Sequence, residues 1–148
     1  MRKNRASSRV SGFTIETLER RVRTPPTKIG VPSSIMTEQL ADRKCVPCRG
    51  GIPALKGTDL RKFHDSVPDW VVVDEHHLNR QFTFSDFKQA LDFVNRVGAV
   101  AEQEGHHPDI FLAWGKAEIT LWTHKIDGLT ESDFIMAAKI DRLSKTKS

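Results

Sequence analysis

The sequence predicts an α+β fold, a two-layer sandwich in which a four-stranded antiparallel sheet carries helices on one face, in the order α-β-β-α-β-β-α. Two pairs of short runs read as strands, the clearest of them alternating apolar and polar residues with the period of two that marks a half-buried strand. A long run of helical period stands between the two pairs, and shorter helical runs precede the first and follow the second. This alternation is what an antiparallel sheet covered on one side requires. At 148 residues the chain has room for one core and not for two.

Each element has its own local signal. Thr58 can cap a short helix, "TDLRKFHDSV", which Pro68 brings to an end. "DWVVV" reads as a strand, and in "LNRQFTF" Leu78, Arg80, Phe82 and Phe84 alternate with Asn79, Gln81 and Thr83. The intervening "DEHH" is then a hairpin turn, and His76 and His77, flanked by Asp74 and Glu75, read as solvent-facing turn residues. Ser85 is a good N-cap for the longest helix, with Asp86 in its first turn and Phe87, Ala90, Leu91, Val94, Val97 and Ala101 on its apolar face. Gly105 is placed to close that helix in the left-handed conformation.

"DIFLAW" and "KAEITLWTH" form the second strand pair, joined at Gly115. In the second of these Ala117, Ile119 and Leu121 face one way, and Glu118, Thr120, Trp122 and His124 the other, which orients His124 on a polar and aromatic face. Thr130 opens the last helix with Asp133 three residues on, close to a capping box, and Phe134, Ala137, Ala138 and Ile140 supply its apolar side. There is no repeat of solenoid type and no heptad pattern.

Residues 1–35 hold 8 Lys+Arg against 2 Asp+Glu, a balance of +6, whereas residues 36–148 hold 15 against 17, a balance of −2. The net charge of +4 therefore belongs to an Arg-, Ser- and Pro-rich extension expected to be disordered, and a basic nucleic-acid face on the domain of residues 36–148 is unsupported. The extension has the composition of an organelle-targeting segment, and equally of an upstream start preceding Met36. No apolar run approaches the roughly 18 residues of a membrane span, and the start lacks a secretory signal's apolar block, so a cytoplasmic protein is expected. Cys45 and Cys48 form a single C-x-x-C, which suits a reducing compartment and is half of a zinc site at most.

The candidate chemistry lies at "EGHHPDI". His106 and His107 follow the end of the longest helix, where its dipole favours imidazolium, and Pro108 biases His107 toward an extended backbone, so the two side chains diverge in fixed directions. His124, at the end of a neighbouring strand, is placed to complete a cluster of three imidazoles. Taken alone, the pair reads more readily as a polar helix cap with a surface histidine beside it.

The stretch "AEQEGHHPDIFLAWGKAEITLWTHKIDGLTESD" resembles the signature of the pterin-4a-carbinolamine dehydratases. Its elements fall on Glu102, His106, His107, Pro108, Trp114, Thr123, His124, Gly128, Leu129, Thr130 and Asp133, and the likeness runs from about Trp70 to Leu143, taking in "FTFSDFKQALDFV". Trp114 stands where many relatives have Tyr. "KCVPCRGG" is similar to the leader of some bacterial and plant members, while residues 1–35 match nothing in the family.

The resemblance implies dehydration of 4a-hydroxytetrahydropterin to the quinonoid dihydropterin, in the recycling that serves aromatic amino acid hydroxylases, with no redox cofactor and no metal. That reaction asks for an acid at the departing hydroxyl and a base at N5, tasks suited to imidazole. By resemblance His106 and His107 transfer protons and His124 binds the hydroxyl or assists its loss. Asp133 orients a histidine or the pterin, although an acid in a first helical turn is stabilising without any catalysis. Glu102 and Trp114 line the site, or are a solvated helix residue and a core aromatic; Trp70 and Trp122 read as packing residues. A homodimer or homotetramer is implied. Rival readings are a zinc module using Cys45 and Cys48, a non-catalytic dimerisation or assembly partner of another protein, and salt-sensitive nucleic-acid binding through the extension.

Overall fold

The computed structural model describes residues 30, 32–46 and 51–146. The chain divides after Gly30, and the elements among the described residues belong to the unit Val31–Ser148. The expectations for residues 1–29 and for Cys48 lie outside the described residues.

The fold is the expected sandwich, with one further helix. That helix, α1 (Ser33–Ala41), was not predicted: of its described side chains only Thr37, Leu40 and Ala41 are buried, one turn of helical spacing that gives no readable period. It packs on the last helix, and Thr37 Oγ1 donates to the Ser66 carbonyl. Helix α2 (Gly57–His64) begins one residue before Thr58, so the predicted cap falls inside the first turn. Lys56 is the N-cap and makes no side-chain capping bond; the Gly57 N–H instead donates to Glu75 Oε1 at 3.0 Å. A carboxylate from a distant turn thus meets a helix-end donor that local sequence leaves open.

Strands β1 (Val71–Val73) and β2 (His77–Thr83) form a hairpin whose turn residues Asp74 and Glu75 both have positive φ, 52° and 49°. His77 pairs with Val73, so it belongs to the strand rather than to the turn. Helix α3 (Phe87–Glu104) is capped by Asp86, not Ser85, with Oδ1 accepting the Gln89 N–H at 2.8 Å. Its buried face is Ala90, Phe93, Val97 and Ala101, while Phe87 and Leu91 remain exposed. Gly105 ends it at φ 63°, as its position predicts.

Strands β3 (Asp109–Ala113) and β4 (Lys116–Leu121) meet at Gly115, where only glycine fits: φ is 62°, and a Cβ would stand 2.8 Å from the Phe84 carbonyl oxygen. The chain then leaves the sheet. His124–Ile126 is a 3₁₀ turn, not the strand end predicted for His124, because the ladder to β2 stops at Leu121. Thr130 caps helix α4 (Glu131–Lys145) in a full capping box with Asp133.

The sheet order is β1-β2-β4-β3, all antiparallel, with β2 and β4 at the centre. Leu78, Phe82, Ala117, Ile119 and Leu121 are buried on the face covered by α3 and α4. Helix α4 also packs against α1 and α2, which is why Ser132 to Ala138 are all buried instead of presenting a single apolar stripe. Trp70 is buried in this core, and its Nε1–H donates to Asp141 Oδ1 at 2.8 Å. Burial pushes the Asp141 carboxyl up, although Arg80, which bridges it to Asp69, pulls the other way.

Candidate active site

The αL turn at Gly105 drops His106 into the layer between α3 and α4. Its backbone N–H returns to the Ala101 carbonyl at 3.1 Å, and the residue is 7% exposed. Nε2–H donates to Asp133 Oδ1 at 2.7 Å. Asp133 is fully buried, and its other oxygen accepts the Thr130 N–H at 2.7 Å, the Thr123 hydroxyl at 2.8 Å and the Thr130 hydroxyl at 3.1 Å. One carboxylate therefore caps a helix and fixes an imidazole at once. Because Asp133 can only accept while ionised, the His106 proton sits on Nε2 and Nδ1 is left as the exchangeable nitrogen.

His107 diverges from its neighbour. It is exposed, and its Nε2–H donates to Glu102 Oε1 at 2.9 Å, one turn back on α3. Here too the carboxylate leaves Nδ1 available, but both partners are in water, so the bond orients more than it stabilises.

His124 is exposed and rests against Trp122, with ring centroids 4.3 Å apart. It is tied to the buried pair through the chain: Thr123, its neighbour, donates to the same Asp133 that holds His106. Trp122 Nε1–H donates to Asp109 Oδ2 at 3.2 Å, and Asp109 pairs with Thr120, so the segments carrying His107 and His124 run side by side at one end of the sheet. His106, His107, His124, Asp133 and Glu102 are gathered at that end. Trp114 is not: it is 76% exposed at the β3–β4 hairpin, about 17 Å along the strand from Asp109 at the usual rise per residue.

Two further features go beyond the capping box and the signature residues. Thr123 and Thr130 complete the shell of Asp133, and their Oγ1 atoms lie 3.0 Å apart. Beside them is a largely apolar cavity of about 270 Å³ lined in part by Leu55, Phe63, Thr123, Ile126 and Thr130. A larger cavity of about 680 Å³, at Thr83, Arg96 and Thr146, has no histidine in its lining and lies away from this chemistry. His76, read as turn decoration, packs against Trp122 and bonds Asp127.

Cys45 is buried, with its thiol directed at the Ser132 carbonyl at 3.5 Å. Burial, reinforced by the Glu104 carboxylate, pushes the thiol up to about 12, so it stays protonated and is a poor metal ligand or nucleophile. Among the described residues no group of three or more His, Cys, Asp or Glu is arranged to hold a metal ion. Among them also, no helix is long and apolar enough to cross a membrane.

Fold and site together define a class: an α+β sandwich that presents carboxylate-held imidazoles at one end of an antiparallel sheet. The chain belongs to the pterin 4 alpha carbinolamine dehydratase family, whose model matches residues 53–143. It is 63% identical over 105 residues, 71% of this chain and 98% of the relative, to a protein of Rubrobacter xylanophilus provisionally named a pterin-4-alpha-carbinolamine dehydratase. It is 51% identical over 104 residues, 70% of this chain and 94% of the relative, to a protein of Alkaliphilus metalliredigens of the same provisional name. Among solved structures it is similar to a transcriptional coactivator/pterin dehydratase from Brucella melitensis, at 32% identity and a TM-score of 0.58, covering 62% of this chain and 98% of that one.

Proposed function

We propose that the protein dehydrates 4a-hydroxytetrahydropterin to the quinonoid dihydropterin by proton transfer among His106, His107 and His124. The C4a–O bond breaks as an imidazolium gives its proton to the departing hydroxyl, and a second imidazole takes the N5 proton, leaving water and the quinonoid ring. Electrons only rearrange within the pterin, so no redox partner enters the balance.

The observation that carries this reading is the buried Asp133, which holds His106 through one oxygen and the Thr123–His124 segment through the other. A carboxylate stripped of water and fully hydrogen-bonded keeps two imidazole-bearing segments in fixed register, as proton transfer demands. Glu102 orients His107. In this reading His106 and His107 exchange protons through Nδ1, and His124 binds the 4a-hydroxyl or assists its loss. Trp114 stands outside this arrangement within one chain. The protein works in the cytoplasm as a homodimer or homotetramer, regenerating pterin for an aromatic amino acid hydroxylase.

The test is decay of 4a-hydroxytetrahydropterin followed with wild type beside His106→Ala, His107→Ala and His124→Ala. Wild type is expected to accelerate decay, and each variant to lose about 10²-fold or more, the usual worth of a positioned acid or base. No acceleration by wild type overturns the enzymatic reading in favour of a non-catalytic partner of another protein.

A further inference from the structure

Next to His124 stands a group of side chains for which the proposed reaction has no use. The Trp122 indole touches two imidazoles, with centroids 4.3 Å from His124 and 4.8 Å from His76. His76 reaches over from the β1–β2 turn, and its Nε2–H donates to Asp127 Oδ1 at 2.9 Å. Its Nδ1 lies 3.1 Å from Nδ1 of His77. Both nitrogens are engaged, so the ring is held against rotation with its flank on the indole.

The His124 ring itself has only the Trp122 indole to orient it. Among the described residues no hydrogen bond reaches its imidazole; its backbone lies in a three-residue 3₁₀ turn closed by the Ile126 N–H to the Thr123 carbonyl at 3.2 Å and the Asp127 N–H to the His124 carbonyl at 3.3 Å, with the Thr123–Gly128 bridge at its base. Asp133 holds the Thr123 side of this turn, but nothing in that bond sets the direction of the His124 ring, which must be placed within fractions of an ångström.

Asp127 ends that turn at φ 50°, a left-handed backbone. Glycine meets this conformation without strain, and the chain uses glycine at Gly105 and Gly115. Aspartate tolerates this conformation better than most residues, as Asp74 also shows at φ 52°, and the contact the Asp127 carboxylate makes is with His76.

We propose that His76, bonded to Asp127 and packed on Trp122, is a positioning residue for His124, fixing both the turn that carries it and the indole on which it rests. The proposal depends on the reading of His124 as a participant in dehydration.

The test uses the full chain with His76→Ala, Asp127→Gly and Asp127→Asn, reading kcat and KM separately, thermal midpoint, and the His124 ring resonance by NMR, assigned with His124→Gln. His76→Ala and Asp127→Gly are expected to lower kcat about tenfold with KM within about twofold, as a misplaced catalytic group does. The His124 resonance should move in both, since its ring-current environment depends on Trp122. Asp127→Gly relieves the backbone strain, so its midpoint should not fall with its rate, and Asp127→Asn, which keeps an acceptor for His76, should restore most of kcat. An unmoved His124 resonance in His76→Ala and Asp127→Gly overturns the proposal, as does a kcat loss that only tracks the midpoint. If wild type proves inactive, the dehydratase reading fails, and the resonance alone then decides whether His76 positions His124.

Discussion

Two histidine–carboxylate pairs on the two sides of one dipeptide differ in what they can contribute. His106 and Asp133 are both buried, whereas His107 and Glu102 have side chains 59% and 81% exposed. A buried acceptor that loses a partner costs about 1–3 kcal/mol, while an exposed pair contributes about 0–1 kcal/mol. Asp133→Asn places an amide where Asp133 accepts four hydrogen bonds, so either a buried donor meets another donor or His106 takes the other tautomer and gives up Nδ1 as its exchangeable nitrogen. It is expected to lower both the thermal midpoint and the dehydration rate, the rate by about 10²-fold or more, whereas Glu102→Gln leaves the midpoint nearly unchanged. Calorimetry and the pterin assay on the two variants check this, and equal midpoints would mean that burial of Asp133 matters less than its geometry suggests. The residues of these pairs were legible from the signature spacing. Thr130 was legible too, as the cap three residues before Asp133, but the bond from Thr123 to that carboxylate, and His76 behind Trp122, were not, because they come from segments that only the folded sheet end brings together.

At the scale of elements, the last turn of α3 is a junction. Glu104 accepts the Cys45 N–H at 2.9 Å and the Lys139 ammonium at 3.0 Å, tying α3 to the segment after α1 and to α4. Burial by itself would raise the Glu104 carboxyl, but the Cys45 N–H and Lys139 outweigh it and hold it below its ordinary value. The unfolded chain then binds the proton more readily than the folded one in the acid range, so this contribution to stability rises with pH. It is complete above the unfolded value, roughly 4.3, and is lost as pH falls through the lower folded value. Glu104→Gln should therefore melt below wild type at pH 7, with the two curves converging in acid. A gap independent of pH would point to packing instead. Strand periodicity, the αL glycine after α3 and the capping box of α4 were readable here because each depends on residues within four positions of one another. The start of α2 was misread for the opposite reason: its first N–H is met by Glu75, eighteen positions away.

Across the whole molecule, the basic residues concentrate in residues 1–35 while the family match spans residues 53–143. A chain starting at residue 31 is accordingly expected to keep the dehydration rate and thermal midpoint of the full protein, and a lost rate would give the extension a part in the site. The sequence by itself determined the α+β class, the position of each strand and of the helices that cover the sheet, and the imidazoles and carboxylates that carry the chemistry. Those follow from local periodicity, turn chemistry and spacing. Only the tertiary structure decided that β4 lies between β2 and β3, that α4 is enclosed by three helices and the sheet, and that His76 meets Trp122 and Asp127. Strand order and register are set by which faces bury together across the sheet, and no run of neighbouring residues encodes that choice.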